Sequence, residues 1–192
     1  MALPRTQVLD GPPRSRYEGV RMSEAEFLAL PEEKPALEYW DSTVLQKAVT
    51  KRRHGQIAEL FILRLYFYRM NHGGRSLPEP TIYFSGQGYL VPDVAYWAPE
   101  TPQGDDDRML PPTLAVEIRS PGESLRQQRQ KCRWMRANGV PVCWFIDPER
   151  RIAERFEGED DGSELPADGA LTSPLLPGFA LPLADIWAEL DR

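Results

Sequence analysis

In the stretch VPDVAYW, residues 91–97, a carboxylate stands inside a run that otherwise reads as a buried strand. Aspartate is among the residues least favoured in strands, and Pro92 just before it belongs at a strand start or edge. A buried carboxylate without a partner is costly. Asp93 therefore calls for a salt bridge, a raised pKa or a metal ion.

Working outward, a second carboxylate raises the same question. Glu117 lies inside TLAVEIRS (113–120), a compact β run ended by Pro121-Gly122. Arg119 is two residues further on, on the same strand face. A Glu117–Arg119 or Asp93–Arg119 ion pair would be the simplest structural solution. Ser124 to Asn138 then reads as a helix stopped by Gly139. On a helical wheel with Lys131 at zero, Met135 falls about 40° away and Trp134 about 60° away, while Arg126, Arg129, Arg133 and Arg136 fall about 140–160° away. The arginines form an outward basic face, and Lys131 turns toward the sheet. A snorkelling lysine is the plain alternative.

Two strand carboxylates and an inward lysine fit a metal-dependent hydrolytic site. Asp93 and Glu117 would hold a hard divalent cation through oxygen. The cation would activate water and steady charge on a phosphate, with Lys131 orienting that water. Arg119 cannot act as a base, because it keeps its proton, but it could clamp a phosphate oxygen.

The remaining pattern is that of one α/β domain with a central mixed sheet. LEYWDSTVLQKAV (37–49) carries two short strand signals around a turn at Asp41-Ser42. A helix is expected over about 52–71, with His54 one turn before Ile57 on its apolar stripe and His72-Gly73-Gly74 at its end. Residues 81–97 read as two strands joined by Ser85-Gly86-Gln87-Gly88. VCWFID (142–147) and RIAERF (151–156) read as strands, 157–169 as an acidic loop, and LADIWAEL (183–190) as a closing helix. Residues 1–21 read as a flexible arm ahead of a domain over 22–192, which opens on the capping-box spacing of Ser23 and Glu26.

At 192 residues and a net charge of −6, the chain is not built to coat nucleic acid non-specifically, though a local basic patch remains compatible. No window is apolar enough for a membrane span, and no secretory signal is visible. Cys132 and Cys143 read as reduced core residues of a cytoplasmic protein.

Pro92-Asp93, then Glu117-Ile118-Arg119-Ser120-Pro121, then Gly139-Val140-Pro141 and Cys143-Trp144-Phe145-Ile146-Asp147-Pro148 together resemble the Uma-two family of restriction-endonuclease-like proteins. This is a bacterial branch of the PD-(D/E)XK nuclease superfamily. SEAEFLALPE (23–32) looks like the family's opening helix, and Leu37-Glu38-Tyr39-Trp40-Asp41 like its Tyr-Glu-x-x-Asp-Gly stretch. The resemblance covers about residues 22–185. It implies a restriction-endonuclease-like fold, a central mixed sheet flanked by helices. It further implies Mg2+ or Mn2+ held by Asp93, Glu117 and the backbone carbonyl of Ile118. Glu38 would be a further acidic contributor, and Lys131 the catalytic lysine moved to the following helix. Arg119, His54, Gln127, Arg52 and Arg53 would stand on the substrate side. Arg119 replaces the family's usual leucine, Gln127 its common aspartate, and Ser42 its glycine.

Three functions follow. The first is a metal-dependent endonuclease acting on DNA, expected to work as a two-fold homodimer. The second is a fold-retaining, inactive protein that binds nucleic acid or a protein partner; an Arg119 guanidinium in the metal's place would favour it. The third is a metal-free carboxylate-pair hydrolase such as a glycosidase, with Asp93 and Glu117 as its pair.

Overall fold

The computed structural model describes residues 14–105 and 108–192. In chain order the elements are α1 (Glu24–Leu28), β1 (Leu37–Trp40), β2 (Thr43–Gln46), α2 (Arg52–His72), β3 (Arg75–Pro78), β4 (Ile82–Tyr83), β5 (Gly88–Leu90) and β6 (Val94–Trp97). They continue with β7 (Leu114–Ile118), α3 (Leu125–Ala137), β8 (Val142–Asp147), β9 (Ile152–Glu157), β10 (Asp160–Glu164), β11 (Ala170–Leu171), β12 (Leu181–Pro182) and α4 (Leu183–Leu190).

A six-stranded mixed sheet, ordered β10-β9-β8-β7-β6-β3, forms the centre. Only β7 and β8 run parallel, because α3 carries the chain back across the sheet between them. The alternation of side chains splits each central strand between two cores. Val94, Tyr96, Leu114, Val116 and Ile118 pack on one face with Ile57, Phe61 and Leu65 of α2 and with Ile186 of α4. Ala95, Trp97, Ala115, Cys143 and Phe145 pack on the other with Cys132 and Met135 of α3. Glu117 shares the face of Ala115 and is therefore directed toward α3.

A smaller antiparallel sheet, β2-β1-β5-β4, leans against this body. Its β1–β2 hairpin turns on Asp41 and Ser42, with φ of +52° and +56°, as a two-residue hairpin of the I′ kind demands. Gly88 sits where a Cβ would lie 2.4 Å from the Tyr39 carbonyl oxygen and 2.9 Å from the Trp134 ring, so no larger residue fits there. This close approach keeps β1, which carries Glu38, against α3, which carries Lys131.

The α2, β8 and α4 expectations match the elements closely, and the Ser23–Glu26 capping box is formed. Three expectations change. VPDVAYW is not one strand: the chain leaves the small sheet after Leu90 and enters the large one at Val94, with Pro92 and Asp93 in the crossing. Pro92 offers no N–H for a ladder, so the break falls there. Within 157–169, residues Asp160–Glu164 pair with β9 as an edge strand. Of the flexible-arm stretch, residues 1–13 lie outside the described residues, whereas 14–21 lie along the small sheet: Gly19 N–H donates to Val44 O at 2.8 Å and Val44 N–H to Val20 O at 2.9 Å. No helix among the described residues is long and apolar enough to cross a membrane.

Candidate active site

A pocket of about 390 Å³ opens where β1, β2, α2, β7 and α3 converge, and Glu38, Lys47, His54, Asp93, Glu117 and Lys131 line it. Asp93 directly precedes β6 and stays tied to its neighbours, its N–H donating to Val116 O at 3.0 Å and its carbonyl accepting the Glu79 N–H at 3.1 Å. By alternation it shares the face of Ala95 and Trp97, toward Glu117. Its Oδ2 accepts the Ile118 N–H at 2.6 Å and lies 3.1 Å from His54 Nε2. Its Oδ1 accepts from Lys47 Nζ at 2.8 Å. Burial alone would raise the Asp93 pKa. The Lys47 ammonium and the His54 hydrogen bond overcome it and hold the carboxyl far below the usual range.

Lys131 is 5% exposed, turned inward as the helical wheel requires. Its Nζ donates to Glu38 Oε1 at 2.7 Å and lies 2.9 Å from Glu117 Oε1. The two contacts are not alike. Glu38 Oε1 also accepts the Val91 N–H at 2.8 Å. Glu117 Oε1 is close to the ammonium but accepts no hydrogen bond among the described residues. Lys131 is thus hydrogen-bonded to Glu38 and ion-paired with Glu117. Burial would lower the Lys131 pKa, but Glu117, Glu38 and Asp93 together raise it above the ordinary lysine value, so it is a permanent cation. Burial, reinforced by Asp93 and Glu38 against the pull of Lys131, pushes Glu117 up to about 8.

Each buried lysine thus meets carboxylates, Lys47 at Asp93 and Lys131 at Glu38 and Glu117. A buried ionic cluster is tolerable when its charges are paired in this way. Glu117 Oε1 and His54 Nδ1 are its two buried atoms that make no hydrogen bond among the described residues.

That donor set fits a hard cation. Mg2+ uses one or two carboxylates and keeps several waters, so Asp93 and Glu117 are the residues that would hold it. Among the described residues, no group of three or more His, Cys, Asp and Glu side chains is arranged to hold a metal ion.

The structure brings Asp93, Glu117, Lys131, Glu38 and His54 together, and Gln127 lines the same pocket. Ile118 enters through its amide, which donates to Asp93. Arg119 does not join them. The Arg119 N–H still bonds Ile146 O at 2.8 Å, which sets Arg119 beside Asp147 of β8, and its guanidinium goes to Glu123 O at 3.0 Å, Asp147 Oδ2 at 3.1 Å and Glu149 Oε2 at 3.1 Å. It therefore neither pairs with Asp93 or Glu117 nor fills a metal's place. Arg52 and Arg53 are exposed at the start of α2, outside the pocket lining. The arginine face of α3 is largely committed to the adjoining hairpin. Arg129 forks onto Glu154, Arg133 pairs with Asp161 at 2.8 Å, and Arg136 bonds the Gly158 carbonyl at 3.0 Å.

Two site residues escaped the sequence. Lys47 follows the last residue of β2 and meets an aspartate 46 positions away, which no local period signals. Glu123, in the turn before α3, accepts the Ser120 N–H at 2.6 Å and the Gln128 side-chain amide at 2.9 Å. Its acid residue type in a Pro-Gly turn was the only available cue.

The family described as "Uma2: Putative restriction endonuclease" matches residues 24–184. A solved structure titled as a putative nuclease belonging to DUF820, from Anabaena variabilis ATCC 29413, superposes with a TM-score of 0.78 at 21% identity, covering 88% of this chain and 99% of that one. The mixed sheet flanked by helices is thus that nuclease fold. A weaker likeness, with a TM-score of 0.42 and 15% identity, is to a DrdV–DNA complex, covering 73% of this chain and 11% of that one. No curated protein matches the chain.

Proposed function

The chain belongs to the Uma2 family, and from that premise and the carboxylate–lysine pocket we propose that it is a Mg2+- or Mn2+-dependent endonuclease hydrolysing DNA phosphodiester bonds. The observation that carries this proposal is that buried Asp93, Glu117 and Lys131 line one pocket, with Glu117 Oε1 2.9 Å from the Lys131 ammonium. Asp93, Glu117 and the Ile118 carbonyl would hold the ion, which when bound supplies Lewis-acid stabilisation of phosphate charge and a water acidic enough to attack. Lys131, fixed by Glu38, orients the attacking water and offsets charge growing on the phosphate. His54 holds Asp93 in place through its Nε2. Gln127 lies on the pocket rim, where it can reach a nucleotide, and Arg52 and Arg53 stand ready at the head of α2 for the flanking backbone.

We place the protein in the cytoplasm, with Cys132 and Cys143 as buried free thiols. A two-fold homodimer would use the exposed apolar stripe of α2, where Leu63, Tyr66, Phe67 and Met70 recur at helical spacing. Incubation of supercoiled and single-stranded DNA with purified protein across Mg2+ and Mn2+ tests the activity. Cleavage by the native chain that disappears in Asp93→Ala and Glu117→Ala is expected; intact DNA under every metal rejects it.

One observation favours a second reading. Both buried lysines already have carboxylate partners, Lys47 on Asp93 and Lys131 on Glu38. A binding protein that kept the fold and lost the chemistry would be stable in this state. It would bind DNA or a protein partner equally well with Asp93 replaced by asparagine, and would take up no metal.

A further inference from the structure

Lys47 stands between two carboxylates of different kinds. Its Nζ lies 2.8 Å from Asp93 Oδ1, deep in the pocket, and 3.4 Å from Glu79 Oε1 at the rim. The Lys47 side chain is 10% exposed, Asp93 4% and Glu79 56%. Glu79 is tied to the site through the main chain, because its N–H donates to the Asp93 carbonyl at 3.1 Å. A short movement of one ammonium would carry it from the buried acceptor to the exposed one.

The remaining Asp93 oxygen offers no alternative. Oδ2 already accepts the Ile118 N–H and faces His54 Nε2, so Oδ1 is the atom through which Asp93 would meet an incoming cation. An ammonium and a divalent ion on that same oxygen repel each other strongly at such depth. We propose that Lys47 is a resident cation that competes with the divalent metal for Asp93, and that metal entry drives its ammonium outward onto Glu79. The proposal rests on Asp93 and Glu117 being the metal ligands.

Its consequence is a metal affinity set by a residue that is not a ligand. The site carries its own counter-charge when empty, stays folded without metal, and loads only where the divalent ion outcompetes the lysine. Such competition is a coupling between two cations at one site, typically worth several-fold to about a hundredfold in affinity. Lys131 takes the Glu38 and Glu117 carboxylates instead, at 2.7 and 2.9 Å, and so leaves the Asp93 side of the pocket to Lys47.

Calorimetric titration of the full chain with Mn2+ tests this, using Lys47→Met, which keeps most of the side-chain volume without the charge, and Glu79→Gln, which removes the outward acceptor at an exposed position. Lys47→Met is expected to bind Mn2+ about tenfold or more tightly than the native chain, and Glu79→Gln several-fold more weakly. Equal affinity in the native chain and Lys47→Met, with binding abolished in Asp93→Ala, overturns the competition while leaving the metal site intact. Should Lys47→Met fail to fold, unchanged affinity in Glu79→Gln overturns it instead. No Mn2+ binding by the native chain or either variant overturns the metal site and this inference together.

Discussion

Replacing Lys131 by methionine probes the cluster most sharply. The substitution nearly conserves volume, so the packing against Met135 and Cys132 survives. What it removes is the cation held between Glu38 and Glu117, at 2.7 and 2.9 Å. Breaking a buried pair by deleting one partner costs about 3–5 kcal/mol, because the other charge stays buried. Here the cost depends on pH. Near pH 6 Glu117, with a pKa pushed up to about 8, is already neutral, and only Glu38 loses its partner. Above pH 8 the native chain ionises Glu117 beside Lys131, whereas the variant must leave two carboxylates unpaired or hold a proton. The loss is therefore expected near the bottom of that range, about 3 kcal/mol, at pH 6, and at the top at pH 9. For a chain of this size that corresponds to a fall in melting temperature of about 6–20 °C. Urea denaturation at the two pH values measures it. Adding Glu117→Gln to Lys131→Met should return about 1–2 kcal/mol at pH 9 and little at pH 6, the signature of a coupled pair. A Lys131→Met protein within about 0.5 kcal/mol of the native chain at both pH values would refute the buried cluster.

Glu117 alone makes a further pH prediction. Its folded-state pKa of about 8 lies above its ordinary value of 4.5, so the stability owed to the neutral form is full below 4.5 and lost as pH rises through 8. The shift sets a ceiling of about 5 kcal/mol, and Glu117→Gln should flatten the pH 5–9 stability curve by at least about 1 kcal/mol; parallel curves would contradict this. Arg119→Ala strips a cation from fully buried Asp147, which keeps the Glu149 and Arg150 amides; it should lose about 1–3 kcal/mol while leaving Mn2+ affinity unchanged. A weakened Mn2+ titration would return Arg119 to the site. Arg129→Ala leaves Glu154, only 1% exposed, without its fork and should cost about 3 kcal/mol in urea denaturation; a change below about 1 kcal/mol would show the pair to be idle. Phe67→Glu should shift sedimentation from dimer to monomer if α2 forms the dimer face, and an unchanged profile would discard that face.

Much of the site was legible because it obeys local periods. The inward turn of Lys131 follows from 3.6-residue spacing, and Glu117 follows from a β run too apolar to sit at the surface. His54 extends an apolar helical stripe and is buried accordingly. The errors fall outside what local periods show. Arg119 does follow Glu117's face, but the neighbouring strand sets the buried Asp147 beside it, a cross-strand partner that local spacing does not show. Asp93 lies just outside β6, yet its backbone still bonds Val116 and Glu79, so strand alternation carries its side chain to the face of Glu117, where the Ile118 amide then fixes it. The edge strand Asp160–Glu164 is polar and contains glycine, so its ladder with β9 has no compositional mark. Lys47 is invisible for a deeper reason. Its position beside Asp93 is set by how the small sheet leans on the large one, a tertiary fact with no counterpart in spacing.

The most direct test is an anomalous difference map from crystals of the full chain soaked in Mn2+. The expected result is one strong peak in the pocket, bound by Asp93 Oδ1 and a Glu117 carboxylate oxygen, with the Lys47 ammonium moved toward Glu79 and the peak missing in Asp93→Ala. A pocket without a peak, still closed by Lys47 on Asp93 at saturating Mn2+, would contradict the metal-dependent nuclease.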